Sequence, residues 1–112
     1  MNTDYVINEA QSITSEFGLN LEIVDITDNI VNLRLYIDAD FFFQIYANQL
    51  KNKLNLNLVF KNRRLFGHDC EGGRYHIHPF DNPKSHIFVD ERADIRGFVV
   101  KSLELLEDSD LL

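Results

Sequence analysis

A single cysteine, Cys70, is too few for an internal disulfide and rules out a cysteine-rich zinc cage. Its solitude suits a reducing compartment. Long apolar runs are missing as well: the longest are as short as Phe41 to Phe43, far from the roughly 20 residues that span a bilayer. The opening "MNTDYVINEA" carries no basic-then-apolar secretion signal. The expectation is therefore a cytoplasmic protein with no membrane contact. Internal repeats, low-complexity segments and linkers are also absent. Basic residues are scarce, 11 against 18 acidic ones, for a net charge of -7, an overall balance hostile to nucleic acid.

The residues present describe an ordinary globular domain. A 45% hydrophobic share with 26% charge excludes disorder, and 112 residues fit one α+β domain spanning 1–112 with a real core. Charge is unevenly distributed. Residues 1–50 hold eight acids and one base, residues 51–101 ten bases and six acids, and residues 102–112 four acids. The middle is thus locally basic, which is either a difference between solvated faces or the footprint of an anionic partner.

Val6, Ala10, Ile13 and Phe17 recur at helical spacing after Thr3 as a cap, and Gly18 stands where that helix would end. From Leu21 the period becomes two. "LEIVDIT" and "IVNLRLYID" form a hairpin about Asp28 and Asn29, followed by strands in "FFFQIYANQ", "LNLNLVFK", "RRLFGHD" and "RYHIHPF". Beyond Pro83 helical spacing returns, with Asp90 as a cap and Ile95, Phe98, Val99, Leu103 and Leu106 as an apolar stripe. Short connections favour an antiparallel meander sheet of about six strands, with the N-terminal and C-terminal helices covering one face.

Alternation divides each strand between that core face and an open one. Leu33, Leu35, Phe43, Ile45, Leu56 and Leu58 fall on the core side. Arg34, Tyr36, Phe42, Gln44, Tyr46, Asn48, Asn55, Asn57, Arg74, His76 and His78 fall on the other. In strand five the facing is ambiguous, because Phe66 and His68 share one side. The aromatic, cationic and amide groups make a binding-type inventory, although a merely solvated sheet can carry the same residues.

The stretch "GHDCEGGRYHIHPFDNPKSH", residues 67–86, gathers all four histidines, both prolines and three of the five glycines. His76 and His78 are two apart on a strand and so share a face with Arg74, roughly 6 to 7 Å apart at the backbone. Three chemistries suit them. In a metal site, His76 and His78 would supply two ligands and His86 or an acid such as Asp69 or Glu71 another, with zinc as the cofactor. In metal-free RNA cleavage, His76 and His78 would transfer protons and Arg74 would stabilise phosphorane charge. Tyr36, Tyr46 or Phe42 would then stack an unpaired base of single-stranded RNA, beside Arg34. In a noncatalytic protein-interaction module, the same residues are only strand and turn polarity, with "EGGR" and "DNPK" as turns.

The order of hydrophobic strands, the glycine-rich turn, "RYHIHPF" and the following His86 resembles the TumE-like toxins of toxin–antitoxin modules over roughly residues 30–88. The resemblance implies a toxin component acting on RNA, neutralised by an antitoxin partner; joined to the metal-free cleavage chemistry above, it gives a ribonuclease that needs no cofactor. His76, His78 and His86 would carry the histidine pattern. The homo-oligomeric state is not implied by any of these features.

Overall fold

The computed structural model describes residues 2–111. Two helices flank seven strands: α1 (Thr3–Phe17), β1 (Asn20–Ile26), β2 (Ile30–Tyr36), β3 (Phe41–Asn48), β4 (Lys53–Phe60), β5 (Arg63–Glu71), β6 (Arg74–His78), β7 (Ile87–Val89) and α2 (Ile95–Asp108). The strands form one antiparallel sheet in sequence order, β1 through β7. The expected α+β meander is present, with one strand more than the six anticipated. That seventh strand lies where helical spacing was expected to resume, since three residues are too few to show a period of two.

Local chemistry explains the helix limits. Asn2, rather than Thr3, caps α1 by accepting the Tyr5 N–H at 2.8 Å, and Asp94, rather than Asp90, caps α2 by accepting the Gly97 N–H at 2.8 Å. Both side chains satisfy an amide that has no partner within its helix. At the β5–β6 hairpin, Gly72 and Gly73 both take positive φ, 57° and 83°, as a two-residue connection of matching twist requires.

The helices cover one face of the sheet. α1 lies against β1 to β3 and α2 against β4, and Phe98 of α2 stacks on Phe66 of β5 at 5.1 Å between ring centroids. Beneath them Leu33, Leu35, Leu56 and Leu58 are fully buried, and Phe43 and Ile45 nearly so. The facing inferred for β2 to β4 therefore holds. Full burial of each such side chain contributes roughly 1.5–3 kcal/mol. Among the described residues no helix is long and apolar enough to cross a membrane.

In strand five, Phe66, His68 and Cys70 turn toward the helices, whereas Gly67 and Asp69 belong to the open face. His68 meets the Glu91 carbonyl at 3.1 Å and Cys70 accepts the Ala93 N–H at 3.2 Å. Cys70 is buried and free, and burial pushes its thiol up from the ordinary value. Burial also lowers the pKa of His68, against the opposing pull of the Glu91 carbonyl. One histidine is thereby removed to the opposite face from the other three.

Candidate metal centre

Cross-strand register lines the open face with rows of polar side chains. One row runs Arg34, Gln44, Asn57, Gly67, His78, and its neighbour runs Asn32, Tyr46, Asn55, Asp69, His76, Phe88. The connection after β6 folds back over the β5–β6 end of these rows. It is tied there by the Pro83 carbonyl, which accepts from His78 Nδ1 at 3.1 Å and from Arg64 Nη2 at 3.3 Å. His86 follows on the same connection.

The result is a triangle of imidazoles. Ring centroids are 5.0 Å apart for His76 and His78, 4.9 Å for His76 and His86, and 4.5 Å for His78 and His86. One nitrogen from each lies within 4.8 Å of those of the other two. Asp69 adds a carboxylate: its Oδ2 lies 3.2 Å from His76 Nε2 and 3.0 Å from His78 Nε2. His78 is buried at 1% exposure and Asp69 at 7%, whereas His86 is exposed.

Hydrogen-bond roles sharpen this geometry. A carbonyl can only accept, so His78 Nδ1 carries a proton, and in the neutral ring Nε2 then holds a lone pair. That lone pair faces a carboxylate oxygen at 3.0 Å. Two acceptors cannot rest at this distance without a positive centre between or upon them, which must be a second proton or a metal ion. A backbone carbonyl on the remote imidazole nitrogen is also the usual way a ligating histidine is oriented.

Gly67 makes room for the arrangement. A Cβ there would sit 2.7 Å from Asn57 Oδ1 and 3.2 Å from both Arg64 Cδ and His78 Cδ2. Asn55 Oδ1, Asn57 Oδ1 and Asp69 Oδ1 are buried and find no hydrogen-bond partner among the described residues. Such acceptors are costly unless a donor or cation reaches them.

The other sequence-inferred residues are placed differently. Arg74 shares its face with His76 but stands at the exposed hairpin end, opposite Glu71, with no ion pair or side-chain hydrogen bond among the described residues. Arg34 lies in the row of His78 but four strands away, about 19 Å by strand spacing. There it bonds Gln44 and the Tyr36 hydroxyl and covers the Phe42 ring at 4.7 Å. Tyr36 packs on Phe42 at 5.2 Å between centroids, and the Tyr46 hydroxyl accepts from Asn48 at 3.3 Å. Arg34, Tyr36 and Phe42 thus engage one another and Tyr46 engages Asn48, on β2 and β3 rather than beside the histidines of β6.

The arginine joined to the imidazoles through one carbonyl is Arg64, which sequence reasoning passed over. A register shift between Leu58 and Val59 sets Val59 opposite Arg64 and leaves Leu65 unpaired, so simple alternation fails along this strand. The basic pair "RR", three residues ahead of Gly67, was the available signal. No protein-family model, curated protein or solved structure matches the chain.

Proposed function

We propose that the chain is a metal-binding protein whose centre holds one divalent transition-metal ion through His76, His78 and His86, with Asp69 balancing its charge. The observation that carries this reading is the convergence of three imidazoles, two of them against a buried carboxylate, with the His78 tautomer fixed by Pro83. Tetrahedral sites with bonds of about 2.1 Å have donor–donor edges of roughly 3.4 Å. Separations of 3.0 and 3.2 Å to Asp69 bracket that edge from below, and the 4.8 Å spread of the imidazoles does so from above. Imidazole and carboxylate donors without thiolate suit zinc, iron, nickel or copper. Zinc is the first ion to test.

Tag-free protein should carry or take up about one zinc ion per chain by elemental analysis and calorimetric titration. His76→Ala and His86→Ala should each weaken binding by at least tenfold while leaving the fold intact. Absence of saturable binding by zinc and by the other three ions overturns the reading.

Metal-free cleavage of RNA is the second reading, favoured by the accessibility of His86 and partial exposure of His76 at 4.9 Å between rings. In it those two rings move protons. His78, with both nitrogens engaged and almost no exposure, positions Asp69 instead of meeting substrate. The toxin role and the antitoxin partner rest on the TumE-like resemblance and accompany this second reading; a cytoplasmic location rests on the single cysteine and the short apolar runs of the sequence. RNA cleavage persisting in excess chelator, and lost in His76→Ala and His86→Ala, would favour it over the metal centre.

A further inference from the structure

We infer that Arg63, Arg64 and Lys84 form a subsite for a phosphate group of the ligand on which the centre acts, so that the substrate class is a phosphate ester. This inference rests on the histidine cluster being the working centre. The three cations line a shallow cavity of about 650 Å³ together with Leu65, Phe80 and Pro83. They reach it from two directions: Arg63 and Arg64 from the start of β5, and Lys84 from the connection that also carries Pro83 and His86.

Three observations distinguish this groove from a solvated basic surface. First, none of the three cations forms an ion pair within 4.0 Å among the described residues. No acid among those residues pairs with them directly, although the chain carries a net charge of -7. Second, Arg64 is held in place. Its Nη2 donates to the Pro83 carbonyl, its Cδ lies in the space that Gly67 leaves free, and its Nε is buried without an acceptor. A guanidinium fixed with a donor to spare is prepared for an anionic oxygen. Third, the Pro83 carbonyl that anchors Arg64 is the one that orients His78. A phosphate on Arg64 therefore sits one carbonyl away from a ligand of the centre, while Arg63 and Lys84, both exposed, are free to close around it.

The probe is a fluorescein-labelled oligodeoxythymidylate of about ten nucleotides; it lacks the 2′-hydroxyl that metal-free cleavage needs, and excess chelator during the titrations prevents metal-assisted hydrolysis. Anisotropy titrations compare wild type, Arg63→Gln/Lys84→Gln, and the control Lys51→Gln/Lys53→Gln at the opposite end of the sheet. The expected result is a loss of tenfold or more for the first pair and less than twofold for the control. The slope of log affinity against log salt should shrink by about 0.7 per lost phosphate contact. Displacement of the strand by pyrophosphate at matched phosphate concentration would identify a mononucleotide-like ligand. Displacement only by unlabelled strand would identify a nucleic-acid backbone, and either supports the subsite. No saturable strand binding, or equal losses in the two double variants, overturns it. His86→Ala, assayed alongside, separates this claim from the one beneath it. Lost zinc uptake with retained strand affinity supports both, and retained strand affinity in a wild type that takes up no metal overturns the metal reading alone.

Discussion

The two faces of this sheet are built from the same strands and follow different rules. On the helix-covered face, β2, β3 and β4 present Leu33, Leu35, Phe43, Ile45, Leu56 and Leu58, dry and close-packed beneath Phe98. On the other face the alternate residues of those strands are mostly amides and tyrosines, with Arg34, Phe42 and Lys53 among them, and toward β5 and β6 they give way to Asp69, His76 and His78. The second face is buried too toward β5 and β6, where His78 is nearly as inaccessible as the leucines and Asp69 only slightly less so. Burial of apolar side chains needs no partner beyond shape, whereas burial of a carboxylate beside imidazoles needs opposite charge and satisfied hydrogen bonds. The core face thus explains why the chain folds. The polar face, where Asn55 Oδ1, Asn57 Oδ1 and Asp69 Oδ1 are buried without a partner among the described residues, is where we propose that it works.

Substitutions can break either face separately. The largest effect is expected on the core face: Leu56→Ala should lose roughly 2–5 kcal/mol in urea unfolding, from lost transfer energy and an unfilled cavity. The side chain is completely buried at the centre of the sheet. A loss below about 1 kcal/mol would show that the sheet centre tolerates collapse.

Gly67→Ala should cost less, about 1–3 kcal/mol as an overpacking change, but should act on the polar face. The added methyl meets Asn57 Oδ1, Arg64 and His78 together, so zinc affinity and strand binding should both fall while the core is untouched. Adding Asn57→Ala should restore part of the stability, since it removes the tightest of the three contacts. Unchanged zinc binding in Gly67→Ala would separate the glycine from the site.

The smallest effect belongs to neither face. Arg96 of α2 bonds Glu16 of α1 on the surface and lies over the Phe17 ring at 5.8 Å. This hydrogen bond holds the Glu16 carboxyl below its ordinary value of 4.5. A depressed carboxylate contributes stability above its unfolded pKa and loses it as pH falls through the folded one. Glu16→Gln should therefore lower the urea midpoint slightly at pH 7, with the difference from wild type disappearing as the pH drops well below 4.5. A difference that grows on acidification would contradict the pairing.

The core face was legible in the sequence because a period of two in β2 to β4 and a period near four in the helices are direct consequences of burial on one side. The convergence of His76 and His78 was legible for the same reason, since residues two apart on a strand share a face. Other features depend on events that periodicity does not record. The Leu65 bulge sets Arg64 opposite Val59, the return of the chain at Pro83 brings His86 onto the triangle, and His68 leaves for the helix side. Arg74 was grouped with the histidines by facing alone; it shares the face of His76 but is exposed at the hairpin tip, opposite Glu71. Cap positions shifted for a similar reason: Asn2 and Asp94 are chosen by where the first free amide falls, which several neighbouring residues could have served.

The central claim is that the three imidazoles, His76 and His78 of them against Asp69, form a metal centre, and zinc titration of the tag-free chain tests it most directly. Calorimetry on wild type and His78→Ala should give one saturable ion per wild-type chain and at least a tenfold weaker isotherm in the variant, with His86→Ala weakened likewise. Zinc uptake by wild type that is unchanged in both variants, or no saturable uptake at all, would contradict it.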